Sequence, residues 1–358
     1  MKIPSFTFAS LVLIVLFFNS CNKQPEKNYA DFSSVKNIHF NEHTISAILG
    51  MSMDMVVMDD LIIILDAQTD NFFHVFSKDD FNYLGNAVKQ GNGPNEETII
   101  HPYFKNCGKD KILYQCDDAL KIAEVNSSNN RFDFDTHKKY DLPTSMQDDA
   151  DFFLINNNIF SSTSQLPASK DYFVLNTETN DISEWGESIP LTNKNINPNF
   201  IPMINQKLST VNSKDNLIAS VFNMLPILRI YSLEDESLIT QLQMTDATNN
   251  QQIFLNDEKS NKSKELINYY HRIKSTNDYI YALYGGFSVS DHFKEGETPH
   301  VFDFSREIHI WKWDGTPVMK LKLDRPVFSF DVTRDNKRII ATSVVDVDKL
   351  FETEIPWN

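Results

Sequence analysis

Short β-rich runs recur along the chain, each broken by Asn, Asp or Gly, and they come in groups of four. The clearest group is MDMVVMDDLIIILDAQTDNFFHVFSKDDFNYLGNAV, residues 53–88. It reads as strand, tight polar turn, strand, longer loop, strand, turn and strand: Met53–Met58, Leu61–Asp66, Phe72–Ser77 and Tyr83–Val88. The phrase returns as KLSTVNSKDNLIASVFNMLPILRIYSLEDESLITQLQM. It returns again, split by an insertion, as HRIKSTNDYIYALYGG and REIHIWKWDGTPVMKLKL. Runs of this length with turn signals between them specify an all-β chain. Only 10 glycines are present, so Asn does much of the turn work, as in Asn156-Asn157-Asn158, because it tolerates the left-handed region. A tandem unit of four short strands is the signature of a β-propeller. At about 45 residues per unit, with allowance for long insertions, residues 32–358 accommodate six blades.

The two ends of that segment predict how the ring closes. After Arg338–Ser343 there is room for one more strand, near Leu350–Ile355, so the last blade lacks its fourth. Val35–Phe40 (VKNIHF) is expected to supply it, which ties both termini into one sheet and removes an exposed edge. The expected fold is therefore a six-bladed β-propeller of four-stranded antiparallel blades, closed by an N-terminal strand in the last blade.

Ahead of the blades, Met1-Lys2 and the apolar run Phe6 to Phe18 read as a leader, too short to span a bilayer. The run stops at Phe18-Asn19-Ser20-Cys21, a small residue before a Cys, which resembles a bacterial lipobox. Residues 1–20 are then a lipoprotein signal peptide, Cys21 the lipidated first residue, and residues 21–31 a polar tether. Cys107 and Cys116 flank a Gly108-Lys109-Asp110 turn. In a hairpin Cys107 faces Ile112, beyond disulfide reach of Cys116, so free thiols are expected.

Charge and motifs narrow the function. The 49 acidic residues outnumber the 33 basic ones, and a net charge of −16 excludes a nucleic-acid partner, which needs clustered Lys and Arg. The chain holds no H-E-x-x-H, C-x-x-C, G-x-S-x-G or P-loop sequence. His292 and His300, with Asp291 and Asp303, are weak candidates for a divalent metal, and no other cofactor is implied.

The segment Lys89-Gln90-Gly91-Asn92-Gly93-Pro94-Asn95-Glu96-Glu97 resembles the G-x-G-P-x-E motif between blades of NHL-type propellers. With Tyr279–Gly286 and Trp311–Leu323, the pattern over roughly residues 32–356 is similar to the TolB-like six-bladed propeller lipoproteins of Bacteroides-type bacteria. That resemblance implies the fold and an envelope location, and no single activity. Read physically, Gly91, Gly93, Pro94 and Glu96 form a structural corner. The glycines are expected to supply positive φ where the chain crosses to the next blade, and Pro94 to stiffen the crossing.

Four connections are long: 89–101, 190–207, 245–268 and 285–306. In a propeller all four emerge on one face, and long loops on a rigid scaffold are where binding usually sits. The candidate ligand residues are Tyr284, Gly285 and Gly286, expected near the ring axis, with His292, His300 and Arg306 beyond them. His271 and Arg272 join them from segment 262–274, whose apolar spacing suggests a short helix. Asn195, Asn197, Asn199, Phe200 and Met203 add amide and apolar groups. Such a mixture suits a protein, peptide or glycan partner. The expected function is a binding or assembly module, anchored by lipid to the outer membrane. The periplasmic leaflet is favoured, because no acidic pair adjoins Cys21. The alternatives are a metal-dependent hydrolase, lactonase or lyase with its site at the axis, and a mainly structural envelope component.

Overall fold

The computed structural model describes residues 28–29, 31–128, 131–147, 151–162, 169–188, 200–244, 250, 253–254, 265–288, 305–343 and 345–357. Six sheets follow one another along the chain. Blade 1 runs Ser52–Val57, Leu61–Asp66, Asn71–Ser77, Tyr83–Gln90 from the axis outward, with a two-residue parallel strand Glu96–Glu97 at its edge. Blade 2 is Ile100–Gly108, Lys111–Cys116, Ala119–Ser128 and Arg131–Asp141. Blade 3 is Phe152–Ile155, Asn158–Ser161, Lys170–Asn176 and Ile182–Ser188. Blade 4 is Lys207–Asn212, Leu217–Phe222, Ile227–Ser232 and Ser237–Gln243. Blade 5 is Ile267–Ser275, Tyr279–Ser288, Glu307–Lys312 and Pro317–Leu323. Blade 6 is Ser329–Val332, Arg338–Thr342 and Lys349–Glu354.

The sequence explains why these sheets stack radially. Second and third strands are covered on both faces by neighbouring blades, so they read as nearly unbroken apolar runs. In Leu61–Asp66 every residue is buried. Alternation still decides which neighbour each one meets. Leu61, Ile63 and Leu65 join the layer shared with blade 2, whereas Ile62 and Ile64 join the layer shared with blade 6. The same division puts Ile308 and Ile310 against blade 6 and Trp311 against blade 4. The tight turns lean on Asn as expected, with Asn156, Asn157, Asn180, Asn216 and Asn336 all at positive φ.

The N-terminal arm corrects one expectation. The last blade is closed by Asn41–Thr44, antiparallel to Lys349–Glu354, and not by Val35–Phe40. Val35–Ile38 instead adds a fifth, parallel strand outside Pro317–Leu323 of blade 5. Further upstream, Asn28–Tyr29 pairs in parallel with the outer strand of blade 4, inside the segment expected to be tether. The arm thus runs along the rim of blades 4, 5 and 6 in turn. Phe32, between its first two strands, is buried against His309 (ring centroids 4.9 Å apart) and Trp311 (5.3 Å). Glu42 on the closing strand pairs with Arg325 and Lys349, both at 2.7 Å. Cys21 lies outside the described residues. Among those residues no helix is long and apolar enough to cross a membrane.

Cys107 and Cys116 are free thiols. Ile112 faces Asn106 and not Cys107, which sits in a bulge of the hairpin. Burial pushes Cys107 up to about 11 and Cys116 up to about 12, which favours the protonated thiol at both.

The Gly91–Glu96 corner is structural, for a different reason from the one expected. Neither glycine is at positive φ. Glu96 folds back so that Gly93 N–H donates to its carboxylate (2.9 Å), as does Lys89 Nζ (2.8 Å). A Cβ at Gly91 would run into that carboxylate. Gly91→Ala should therefore destabilise the chain slightly, because Glu96 must leave its partners. In a Glu96→Ala background the same change should cost almost nothing. Urea titration of the four chains measures the coupling, and an equal cost in both backgrounds would remove this explanation.

Candidate functional site

The long connections emerge at one end of the ring, where helix Ile201–Asn205 precedes the first strand of blade 4. Ile204, Phe254 and Leu266 from two different connections close over Phe222, Leu225 and Ile227 of blade 4, forming an apolar layer separate from those between blades. Asn250 fastens this layer. Fully buried, its Nδ2 donates to the carbonyls of Met224 and Ile267, and its Oδ1 accepts from Ile267 N–H, all at 2.8 Å. Each polar atom of the amide is thereby satisfied inside an apolar setting, which ties Asn250 to Met224 and Ile267. The result is a built platform above blade 4.

The candidate ligand residues divide at this point. Of segment 262–274, residues 262–264 lie outside the described residues, Glu265 is in a 3-10 turn, and from Ile267 onward the chain is strand and not the expected helix. Ile267–Ser275 is the innermost strand of blade 5, with a register shift at His271. Tyr284, Gly285 and Gly286 lie on the second strand and not at the axis. Tyr284 points between blades 4 and 5, stacked on His309 (4.5 Å) and edge-on to Tyr270 (5.5 Å). Gly286 has φ +70°, and Gly285 leaves room for His271, whose ring stacks on Phe287 at 5.3 Å. Burial beside Arg272 pulls the His271 imidazole down to about 4, so it is neutral at physiological pH, and its Nε2 has no hydrogen-bond partner. Arg306 is exposed, with Nη1 donating to the Asp324 carbonyl (3.1 Å). His292, His300, Asn195, Asn197 and Asn199 lie outside the described residues. Among the described residues no three His, Cys, Asp or Glu side chains are placed to hold a metal ion.

Arg272 belongs to a different setting, the ring axis, with a group of residues the motif search missed. Charged and polar groups on or beside the innermost strands meet there. In blades 5, 6 and 1, Asp54 Oδ1 accepts from Lys274 Nζ (2.9 Å) and Ser329 Oγ (3.0 Å). In blades 2, 3 and 4, Lys105 Nζ meets Asp151 Oδ1 at 2.6 Å and donates to the Ser209 carbonyl. Asp151 also accepts from Ser209 N–H at 2.5 Å. Burial pulls Lys105 below and pushes Asp151 above its ordinary value, and their pairing opposes both shifts. The two ion pairs thus staple the six innermost strands as two groups of three. Asp331 accepts from the N–H groups of Val57 (2.7 Å) and Val332 (2.8 Å), and burial pushes it up to about 6. The sequence signal was a charge placed shortly before the first turn in several innermost strands: MDMVV, FKNC, RIKS and SFDV.

A further buried cluster joins blades 3 and 4. Asp171 accepts from Arg229 Nη1 (2.6 Å) and from the Tyr231 hydroxyl, with Lys207 Nζ at 4.0 Å. Lys207 also donates to the Asp171 and Asn205 carbonyls and to Asn205 Oδ1 (2.9 Å). Burial pulls it down to about 8.

Comparison with known proteins agrees with this ring. The TolB-like 6-blade propeller-like family matches residues 29–335. No curated protein of similar sequence was found. Among solved structures, a member of the DUF4221 family from Bacteroides vulgatus superposes with a TM-score of 0.61 at 12% identity, covering 92% of this chain and 98% of that one. A Bacteroides fragilis protein superposes with a TM-score of 0.53 at 11% identity, covering 90% and 99%. At such identities the likeness is one of fold. With the family match across six successive blades, the chain belongs to the TolB-like six-bladed propeller family.

Proposed function

We propose that this propeller is a binding module of a bacterial envelope, anchored by lipid at Cys21 on the periplasmic side of the outer membrane. It holds a protein, peptide or glycan partner on the face where its long connections emerge. The observation that carries the reading is the platform fastened by Asn250, because Ile204, Phe254 and Leu266 packed on a core of their own make a preformed surface. At the same end of the ring the Arg306 side chain is exposed to a partner. The acids at the axis, by contrast, are bonded to cations or backbone amides, which favours binding over the hydrolase alternative.

Crosslinking in the native envelope tests this. Arg306→Glu reverses an exposed charge on that face. It is expected to lose a crosslinked partner while melting as the parent does. Recovery of the same partners from parent and variant would overturn the reading.

A further inference from the structure

The two most exposed large apolar side chains among the described residues are Ile48, at 73%, and Val345, at 60%. Ile48 belongs to the connection from the closing strand of blade 6 to the first strand of blade 1. Val345 belongs to the loop between the second and third strands of blade 6. Both therefore stand on the face of the long connections. Main-chain bonds join the two stretches, from Leu49 N–H to the Val347 carbonyl and from Ile45 N–H to the Asp348 carbonyl, each 2.9 Å.

The backbone holds Ile48 outward. Along residues 45–49 burial alternates: Ile45, Ala47 and Leu49 pack into the layer between blades 6 and 1, while Ser46 and Ile48 face solvent. Turning Ile48 inward would expel that buried set. The far end of the segment is pinned by Asp66, a fully buried carboxylate that accepts from Gly50 N–H (2.6 Å), Met51 N–H (3.0 Å) and Gln68 N–H (2.9 Å). Aliphatic side chains held in water on a rigid segment form a preformed contact for a partner.

The charges around them select the occupant. Asp346 and Asp348 stand in the same loop as Val345. The exposed Asp70 lies on the adjoining loop of blade 1, where Ala67 N–H donates to the Met51 carbonyl (3.0 Å). Lys349 beside them is bonded to Glu42 at 2.7 Å and stays 4.0 Å from Asp346, so acids are in surplus. An anionic lipid surface would be repelled. A second copy packed through the same patch would set these acids against each other. A partner that is both aliphatic and basic meets both features.

We propose that this seam between blades 6 and 1 docks an amphipathic segment of another protein, its aliphatic side on Ile48 and Val345 and its Lys or Arg side chains on Asp346, Asp348 and Asp70. The inference rests on the reading that this face receives a partner, and it names that partner's chemistry.

Titration of the folded chain with a short amphipathic Lys/Leu peptide, read by fluorescence anisotropy, tests it. Saturable binding is expected, weakening as salt is raised. A Glu/Leu peptide of the same pattern and a Lys/Ser peptide of the same charge should each bind roughly tenfold or more weakly. Ile48→Ser combined with Val345→Ser should lose a comparable factor for the Lys/Leu peptide while melting as the parent does, because both side chains are exposed. Asp346→Asn combined with Asp348→Asn should also weaken that peptide and flatten its salt dependence. No binding of the Lys/Leu peptide, or equal affinity of the parent and the doubly Ser-substituted chain, would overturn the proposal. A crosslinked partner lost in Arg306→Glu alongside either result would leave the binding module standing without this dock.

Discussion

A chain beginning at residue 45 is expected to be the least stable variant that still folds, if it folds at all. It lacks the closing strand Asn41–Thr44, so Lys349–Glu354 becomes an open edge. It also lacks Phe32, Ile38 and Phe40, all buried. Fully burying one such side chain contributes about 1.5–3 kcal/mol, so the truncation should cost about 5 kcal/mol or more. The unpaired edge should also promote association between chains. Among the described residues, a chain beginning at residue 31 loses only the Asn28–Tyr29 pairing, and it should stay within about 1 kcal/mol of the parent. One beginning at residue 39 should fall between them, because blade 5 loses its added strand while blade 6 stays closed. Urea unfolding of the three chains gives the order. Comparable stability for the chains starting at 31 and 45 would mean that the ring holds without its closing strand.

Asp171→Asn should be the most damaging single change away from the axis. The residue is fully buried and answers Arg229, Tyr231 and Lys207 together. Removing the one anion leaves two buried cations uncompensated, which typically costs about 3–5 kcal/mol. Replacing all three charged groups by Leu and Met should cost less than removing Asp171 alone, because no stranded charge remains. The loss should also depend on pH in a definite direction. Lys207 titrates at about 8 in the folded chain, against 10.5 for an ordinary lysine. The unfolded chain therefore holds the proton between those values, and stability rises with pH across that window. Above about pH 8 the parent's Lys207 is neutral, so its attraction to Asp171 vanishes and the deficit of the variant should narrow. A deficit that is flat from pH 6 to about 10 would show that Lys207 takes no part.

What could be read from the sequence follows from which faces are covered. Second and third strands, buried on both sides, stand out as apolar runs such as Leu61–Asp66. Outer strands are wetted on one side and do not. Arg131–Asp141 (RFDFDTHKKYD) and Ile182–Ser188 (ISEWGES) are largely polar, and neither was recognised. Their pairing is decided by neighbours, as when Trp185 covers Phe160 and Tyr231. The closing strand NEHT escaped for the same reason. Its hold comes from tertiary contacts, Glu42 with Arg325 and Lys349 and His43 stacked on Phe81 at 4.1 Å, whereas VKNI has the stronger intrinsic β pattern. That residues 267–274 form a strand where a helix was expected has a local cause. A bulge at His271 interrupts the alternation, so Tyr269, Tyr270, Arg272 and Ile273 are all buried and imitate helical spacing. The axial ion pairs could not be seen from motifs, because their members lie on different blades and meet only when the ring forms.

The arm along the rim also imposes an order on folding. Residues 28–29 pair with residues 242–243, residues 35–38 with 320–323, and residues 41–44 with 349–352. The part of the chain synthesised first therefore has its partners among the parts synthesised last. Blades 1 to 3 can form during synthesis without it, but the outer edges of blades 4 and 5 and the whole of blade 6 must wait for a search across more than 200 residues of sequence. Ring closure becomes the late, slow step, and until it occurs the nascent chain carries an unpaired arm and unpaired edges together, which is when it is most exposed to misassembly.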